Sequence, residues 1–394
     1  METALHPEYK DVPMAVCGSV EDRRGIVLAK NELAKKYNVQ TAETVFSAKK
    51  KCPQLVIAEP HHKLYAEFSK RVNDVYKRYT DLVEPFGIDE SWLDVTGSRK
   101  LFGNGEEIAK KISEDIKREI GITVSIGVSF NKVFAKLGSD YKKPDAITVI
   151  SRENFKKIVY PLPVSDLLFV GKKTSEALMR LGIRTIGELA ESNADILSAR
   201  FGKNGEQLHK FALGNDDSPV SPETYEDAKS ISNGITFKHD LTSMDEYRTG
   251  IEFLSEEIGT KLRLKGLKAA TVQLTIKDEY LRTIVRQHPQ NPPTDIGGEI
   301  AETALNILEA EWSIGKPIRM LTVAATSLFK KDLITTQLSL FGEEDNSQRE
   351  KQRNSEETID KIRQKYGDGA IIKGAVLDTD IGIYTAPSDK KKKS

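Results

Sequence analysis

The stretch EPFGIDESWLDVTG, residues 84–97, reads as two short strands joined by a turn from Gly87 to Glu90. Asp89 and Glu90 are adjacent within that turn. Neighbouring residues of a straight strand point to opposite faces, so both carboxylates reach one site only where the backbone bends. Two carboxylates at such a corner suit Mg²⁺, which takes oxygen ligands, keeps several waters and often completes its shell with substrate phosphate. Taken alone the pair reads more readily as a solvated turn. What surrounds it decides.

Upstream, apolar residues recur at helical spacing from Lys63 to Asp81 (Leu64, Phe68, Val72, Val75, Tyr76, Tyr79), which predicts a long amphipathic helix. Before it, PMAVCGS (13–19), RRGIVLA (23–29) and QLVIAEP (54–60) read as strands, and NELAKKYN (31–38) and TAETVFSAKKKC (41–52) as helices. Downstream come a helix over 106–119, the strand ITVSIGVS (122–129), the helix NKVFAKLGSDY (131–141) and the strand AITVI (146–150). Alternation of this kind predicts a sheet domain of α/β or α+β class. After Pro161 the pattern shifts to short helices with glycine-marked turns. From Thr236 to Phe329 strands return (AATVQLTIK, LRTIVRQ, MLTVAATSLF) around two helices over 246–266 and 299–312, predicting a second sandwich of sheet and helices. The run GEEDNSQREKQRNSEE (342–357) is nearly devoid of apolar residues and reads as linker or disorder. A short amphipathic piece over 357–367 follows, then a lysine-rich tail.

The chain has 394 residues, 59 Lys+Arg against 59 Asp+Glu, and 38% hydrophobic residues. That supports several cores with solvated surfaces rather than wholesale disorder. No apolar run approaches the ~18 residues of a membrane span, and the N-terminus has no export signal. Cys17 and Cys52 are the only cysteines and no zinc spacing occurs, which fits a reducing, cytoplasmic setting. With zero net charge, any nucleic-acid surface has to be locally concentrated.

TDLVEPFGIDESWLDVTGS (80–98) and SIGVSFNKVFAKLGSDYKKP (125–144) resemble the palm signature of the Y-family, lesion-bypass DNA polymerases. The resemblance continues through 161–190, 201–220 and the second sandwich, covering roughly residues 1–340 with long motifs in family order. It implies an α+β multidomain chain, a right-hand polymerase. Fingers would span 1–60, palm 61–155, a helix-hairpin-helix thumb 156–225, and a βαββαβ-like little finger 228–335. Residues 336–394 would form a clamp-binding and charged tail. By the same resemblance Asp89 is a metal-binding aspartate and Glu90 the adjacent catalytic, metal-binding glutamate, together helping to hold two Mg²⁺ ions for phosphoryl transfer. Asp94 reads as structural instead.

The family pattern also has an initial strand with another metal aspartate, then an aromatic residue that excludes ribonucleotides. Met1 to Leu5 resembles the register just after that aromatic, so these features are expected in codons upstream of Met1. A chain truly starting at Met1 is expected to extend no primer. In the fingers helix, Ala29, Glu32 and Lys35 stand where relatives carry Thr, Tyr and Arg; Lys35 keeps a cation without the guanidinium fork. Lys143, in the DYKKP motif, is the stronger candidate for the incoming dNTP's triphosphate.

In FVGKKTSEAL (169–178), Gly171, Lys172 and Lys173 are expected to meet a DNA phosphate at a helix start. The family usually has glycine where Phe169 stands. Seven Lys/Arg lie between Lys261 and Arg286 against only Asp278 and Glu279. Arg282 and Arg286 are expected on one strand face along primer-template DNA. Gln337, Leu338, Ser339, Leu340 and Phe341 match the bacterial sliding-clamp-binding pentapeptide, its apolar residues filling a pocket as anchors do. The expected molecule is a monomeric polymerase with no membrane attachment. Two alternatives stand beside it: a non-catalytic DNA- and clamp-binding protein, and another palm-type nucleotidyl enzyme such as a cyclase.

Overall fold

The computed structural model describes residues 1–19, 25–222, 228–331, 343–372, 374 and 380–383. Two compact units emerge, Met1–Asp11 with Pro60–Glu226 and Val12–Glu59 with Asp227–Ser394. The first helix, α1 (Glu2–Leu5), is tied to its unit by Glu2, a buried carboxylate that accepts a hydrogen bond from the Tyr65 hydroxyl.

In residues 12–59, β1 (Met14–Cys17) lies between antiparallel β2 (Val27–Lys30) and parallel β3 (Val56–Ala58). Helices α2 (Glu32–Lys36) and α3 (Val45–Lys51) start on side-chain caps, Asn31 accepting from the Ala34 N–H and Thr44 from the Ser47 N–H. Such caps satisfy backbone donors left over at a helix start.

The other unit continues with α4 (His62–Tyr76), the hairpin of β4 (Val83–Pro85) and β5 (Ser91–Leu93), α5 (Arg99–Phe102) and α6 (Gly105–Ile120). Ile108, Ile112 and Ile116 recur along α6 and pack with Val75 and Tyr79. Next, β6 (Ile126–Ser129) and β7 (Ile147–Ile150) run parallel and are joined by α7 (Lys132–Tyr141), as a helical crossover requires. Among the described residues these four strands form two separate two-stranded ladders rather than one palm sheet, because no described strand joins them. Helices α8 (Phe155–Val159), α9 (Lys172–Arg180), α10 (Ile186–Glu191), α11 (Ala194–Phe201) and α12 (Lys203–Ala212) follow. Their Leu178, Leu189 and Leu208 share a core with Phe134 and Leu137 of α7.

The last part runs β8 (Ser230–Leu241), α13 (Met244–Leu264), β9 (Leu267–Asp278), β10 (Thr283–Thr294), α14 (Gly297–Glu311), β11 (Ile318–Lys330). This is the expected βαββαβ order, with an antiparallel sheet ordered β10-β9-β11-β8. Leu274 and Ile276 of β9 and Leu321 and Val323 of β11 share a core with Leu254 and Ile258 of α13 and Leu308 of α14. The opposite face carries the alternate residues.

One expectation is overturned here. The charged run after residue 342 is not linker but part of a helix, α15 (Glu343–Tyr366). Arg349 bonds Glu299, Arg353 bonds Asp295, and Arg363 pairs with Glu256. Arg263 of α13, its side chain only 6% exposed, meets Glu356 at 2.5 Å and Asp360 at 2.6 Å. Glu356 also accepts from the N–H groups of Gly297 and Gly298 at the start of α14. Ion pairs replace apolar burial in docking this helix.

Candidate functional site

The hairpin loop between β4 and β5 is closed by the Phe86 N–H donating to the Glu90 carbonyl at 2.8 Å. Gly87 has φ +78°, a conformation that residues bearing a Cβ adopt only at a cost. The loop leaves Asp89 exposed and Glu90 half-buried. Phe86 and Trp92 pack across its base with ring centroids 4.6 Å apart.

Helix α7 braces this hairpin from a stripe four residues apart. A Cβ at Gly127 of β6 would lie 1.9 Å from the Ala135 carbonyl oxygen, so the bare glycine lets α7 lie directly on its strand. Val133, Phe134 and Leu137 are buried in the core. Lys132 and Lys136 reach the hairpin carboxylates instead. The Lys132 ammonium is 2.7 Å from Glu84 and 4.8 Å from the centre of the Trp92 ring, while the Trp92 indole N–H donates to the Lys132 carbonyl. The Lys136 ammonium is 3.1 Å from Glu90 Oε1 and bonds Asp140, which in turn holds Lys143 at 2.7 Å. Burial alone would pull the Lys136 ammonium down, but its bonds to Asp140 and Glu90 outweigh that and raise it above the ordinary lysine range. Asp140 is the mirror case: burial works upward, yet Lys136 and Lys143 hold its carboxyl below the usual range.

Asp89 and Glu90 thus present two oxygen donors on one turn. No cluster of three or more His, Cys, Asp or Glu side chains that could hold a metal occurs among the described residues. The donor chemistry fits a hard divalent cation that completes its shell with water and phosphate. Asp94 accepts from the Thr96 N–H at 2.9 Å, the structural role expected of it.

The sequence-predicted residues do not all gather here. Glu90 and Lys143 are linked through Lys136 and Asp140, residues that sequence reasoning missed, while Asp89 adjoins Glu90 in the turn. Their signal was the i, i+4 spacing of Lys132, Lys136 and Asp140 on a helix whose buried face is Val133, Phe134 and Leu137. Lys35 lies on α2, exposed and 3.7 Å from Glu32. Gly171, Lys172 and Lys173 are exposed at the start of α9, which has no side-chain cap. Phe169 has φ +69°, the left-handed conformation that the family's glycine adopts freely.

Arg282 and Arg286 do not share a strand face. Arg282 precedes β10 and braces the β9–β10 turn through Asp278 at 2.8 Å. Arg286 is in register with Leu274 and has the parity of Ile284, which packs on the core. It therefore lies on the helix side of the sheet, 3.0 Å from Glu311 of α14. The opposite face aligns Val285, Thr275, Thr322 and Gly234 in one row and Gln287, Gln273, Ala324 and Ser232 in the next. Gln337, Leu338, Ser339, Leu340 and Phe341 lie outside the described residues. No helix among the described residues is long and apolar enough to cross a membrane.

The fold matches that of Y-family polymerases. A solved Y-family DNA polymerase chimera, Dbh-Dpo4(243-245)-Dbh, superposes with a TM-score of 0.72 at 22% identity, over 83% of this chain and 95% of that one. The impB/mucB/samB family model matches residues 1–140, and the model of that family's C-terminal domain matches residues 228–340. DNA polymerase IV of Acetivibrio thermocellus is 48% identical over 378 residues, 96% of this chain and 94% of that protein. DNA polymerase IV 1 of Bacillus subtilis (strain 168) is 34% identical over 96% of this chain and 90% of that protein. This chain belongs to the impB/mucB/samB family.

Proposed function

We propose that the Phe86–Glu90 turn is the centre of a template-directed nucleotidyl transfer, and that the protein copies damaged DNA. The chain is a DNA-directed DNA polymerase of the Y family, a class of nucleotidyltransferases that generally use divalent metal ions. A non-catalytic DNA- and clamp-binding role is not favoured, given 48% identity to a DNA polymerase IV over 378 residues. The observation that carries the site is the adjacent carboxylate pair, Asp89 exposed and Glu90 half-buried, braced from α7 by a lysine bonded to Glu90.

In this reading Asp89 and Glu90 hold Mg²⁺, two ions by family resemblance. The bound metal supplies activation of the primer 3′-OH and neutralisation of the pyrophosphate leaving group. The chain's own residues bind and orient. Lys143 meets the triphosphate as a point charge, with Lys35 a second cation for the nucleotide. Lys136 keeps the Glu90 carboxylate oriented. At the start of α9, uncapped N–H groups together with Lys172 and Lys173 receive a DNA phosphate. Arg282 and Arg286 are engaged by protein carboxylates, so the sheet face away from α13 and α14 is the better candidate for contact with the duplex. Its Thr, Ser and Gln side chains and Lys277 can follow a backbone without reading sequence. Gln337 to Phe341 dock on a sliding clamp, and the protein acts as a cytoplasmic monomer.

Primer extension across a template abasic site tests the assignment. With Mg²⁺ and dNTPs, extension past the lesion is expected from the protein expressed from its own gene, and Asp89→Ala should abolish it. Lesion bypass that survives Asp89→Ala would move the chemistry elsewhere.

A further inference from the structure

Asp140 breaks two local rules of helix electrostatics. It stands in the last turn of α7, where the helix dipole disfavours a carboxylate. Its partner Lys136 precedes it by four residues, the less favourable order for such a pair. A residue placed against local preference usually answers to something beyond the helix. Here the answer is a chain of alternating charges: Glu90 with Lys136 at 3.1 Å, Lys136 with Asp140, and Asp140 with Lys143 at 2.7 Å. Asp140 uses both oxygens, Oδ2 on Lys136 and Oδ1 on Lys143.

Exposure differs along that chain. The Lys136 side chain is 18% exposed and sits between two carboxylates, whereas that of Lys143 is 49% exposed. The inner lysine is anchored and the outer one is open to a ligand. A lysine has a long, flexible stem and no built-in direction. Fixing its head beforehand lowers the entropy lost when it meets an anion.

We propose that Asp140 is a positioning residue for nucleotide binding, aiming Lys143 at the incoming triphosphate from an anchor formed by Lys136 and Glu90. This rests on the assignment of Lys143 to the triphosphate and of Glu90 to the metal. Asp140 itself touches neither substrate nor metal. Its effect passes through Lys143.

The test measures dNTP binding by the full chain on a dideoxy-terminated primer-template, so that no turnover enters the readout. Lys143→Met is expected to weaken dNTP binding about 10-fold or more, and Asp140→Asn about 3- to 10-fold, as loss of charge-assisted contacts does. Primer-template affinity and the thermal midpoint should stay unchanged, since Asn is isosteric and Asp140 is 48% exposed. Lys136→Met should reproduce the Asp140→Asn loss in smaller measure. The double variant Asp140→Asn/Lys143→Met should bind dNTP no more weakly than Lys143→Met, because residues acting through one contact are not additive. Wild-type dNTP affinity in Asp140→Asn, with Lys143→Met still impaired, would overturn the positioning role alone. So would losses that multiply in the double variant. Unchanged affinity in Lys143→Met would overturn the assignment of Lys143 and the positioning role with it.

Discussion

Phe169 shows what one backbone angle demands. At φ +69° its Cβ is crowded against the backbone, a strain of about 1–2 kcal/mol for a residue other than glycine. Its ring is 58% exposed and 6.1 Å from Phe211, so packing offsets only part of that. Replacing the ring by Ala or by Gly removes the same contact, which leaves strain as the difference. Phe169→Gly should be more stable than Phe169→Ala by about 1 kcal/mol in urea unfolding, the reverse of glycine's usual penalty. A glycine variant no more stable than the alanine one would refute the strain. Glu246 makes a second case. Burial pushes its carboxyl upward, but hydrogen bonds from His239 and from the N–H groups of Thr242 and Ser243 bring it to about 2, against an ordinary value of 4.5. A depressed carboxylate stabilises the fold above its unfolded value and loses that contribution as pH falls through the folded one. Glu246→Gln should therefore cost about 1 kcal/mol at pH 7 and flatten the loss of stability between pH 4.5 and about 2. An unchanged acid-unfolding profile would contradict this.

Helix α15 depends on charge where the other helices depend on apolar burial. Arg263 sits between Glu356 and Asp360, almost fully buried. Removing one partner of such a cluster leaves uncompensated carboxylates and typically costs about 3–5 kcal/mol. Arg263→Met should accelerate amide hydrogen exchange across residues 349–363, and protection equal to wild type would show that the cluster does not hold the helix. Sequence reading saw only the amphipathic end of α15, over 357–367, and missed the rest for a definable reason. Arg349, Arg353, Glu356, Asp360 and Arg363 recur at steps of four and three, a helical stripe written in charges, while hydrophobic periodicity looks only for apolar ones. The apolar helices and the strands of the βαββαβ part were legible because their burial repeats at 3.6 or 2 residues. Strand β8 was read as starting at Thr236 although it begins at Ser230, because Gly234 and the serines around it carry little β signal. Asp89 and Glu90 were legible as adjacent carboxylates at a glycine turn. Lys136 and Asp140 were not, since their role appears only once Gly127 lets α7 lie on β6. Gly127→Ala should cost about 3 kcal/mol or more, because the new methyl meets backbone rather than a movable side chain.

At the scale of the whole molecule, 59 Lys+Arg balance 59 Asp+Glu. Its grip on DNA must come from local cations. Much of the basic count is spent internally: Arg263, Arg282, Arg286, Arg349, Arg353 and Arg363 are all paired with protein carboxylates. Among the cations between Lys261 and Arg286, Arg263, Arg282 and Arg286 are engaged in this way, so their count overstates the charge free for DNA. Lys172→Ala/Lys173→Ala should weaken primer-template binding for all sequences alike and reduce the salt slope by about 1–2, while Arg286→Ala should leave that slope unchanged. An Arg286 effect equal to that of the lysine pair would restore it as a phosphate contact. The most direct test of the polymerase site is single-turnover nucleotide incorporation by the protein expressed from its own gene, against Glu90→Gln. We predict incorporation that requires added Mg²⁺, and a loss of about 10²-fold or more in the variant with primer-template affinity intact. Incorporation by Glu90→Gln at the wild-type rate would contradict the assignment of this turn as the active site.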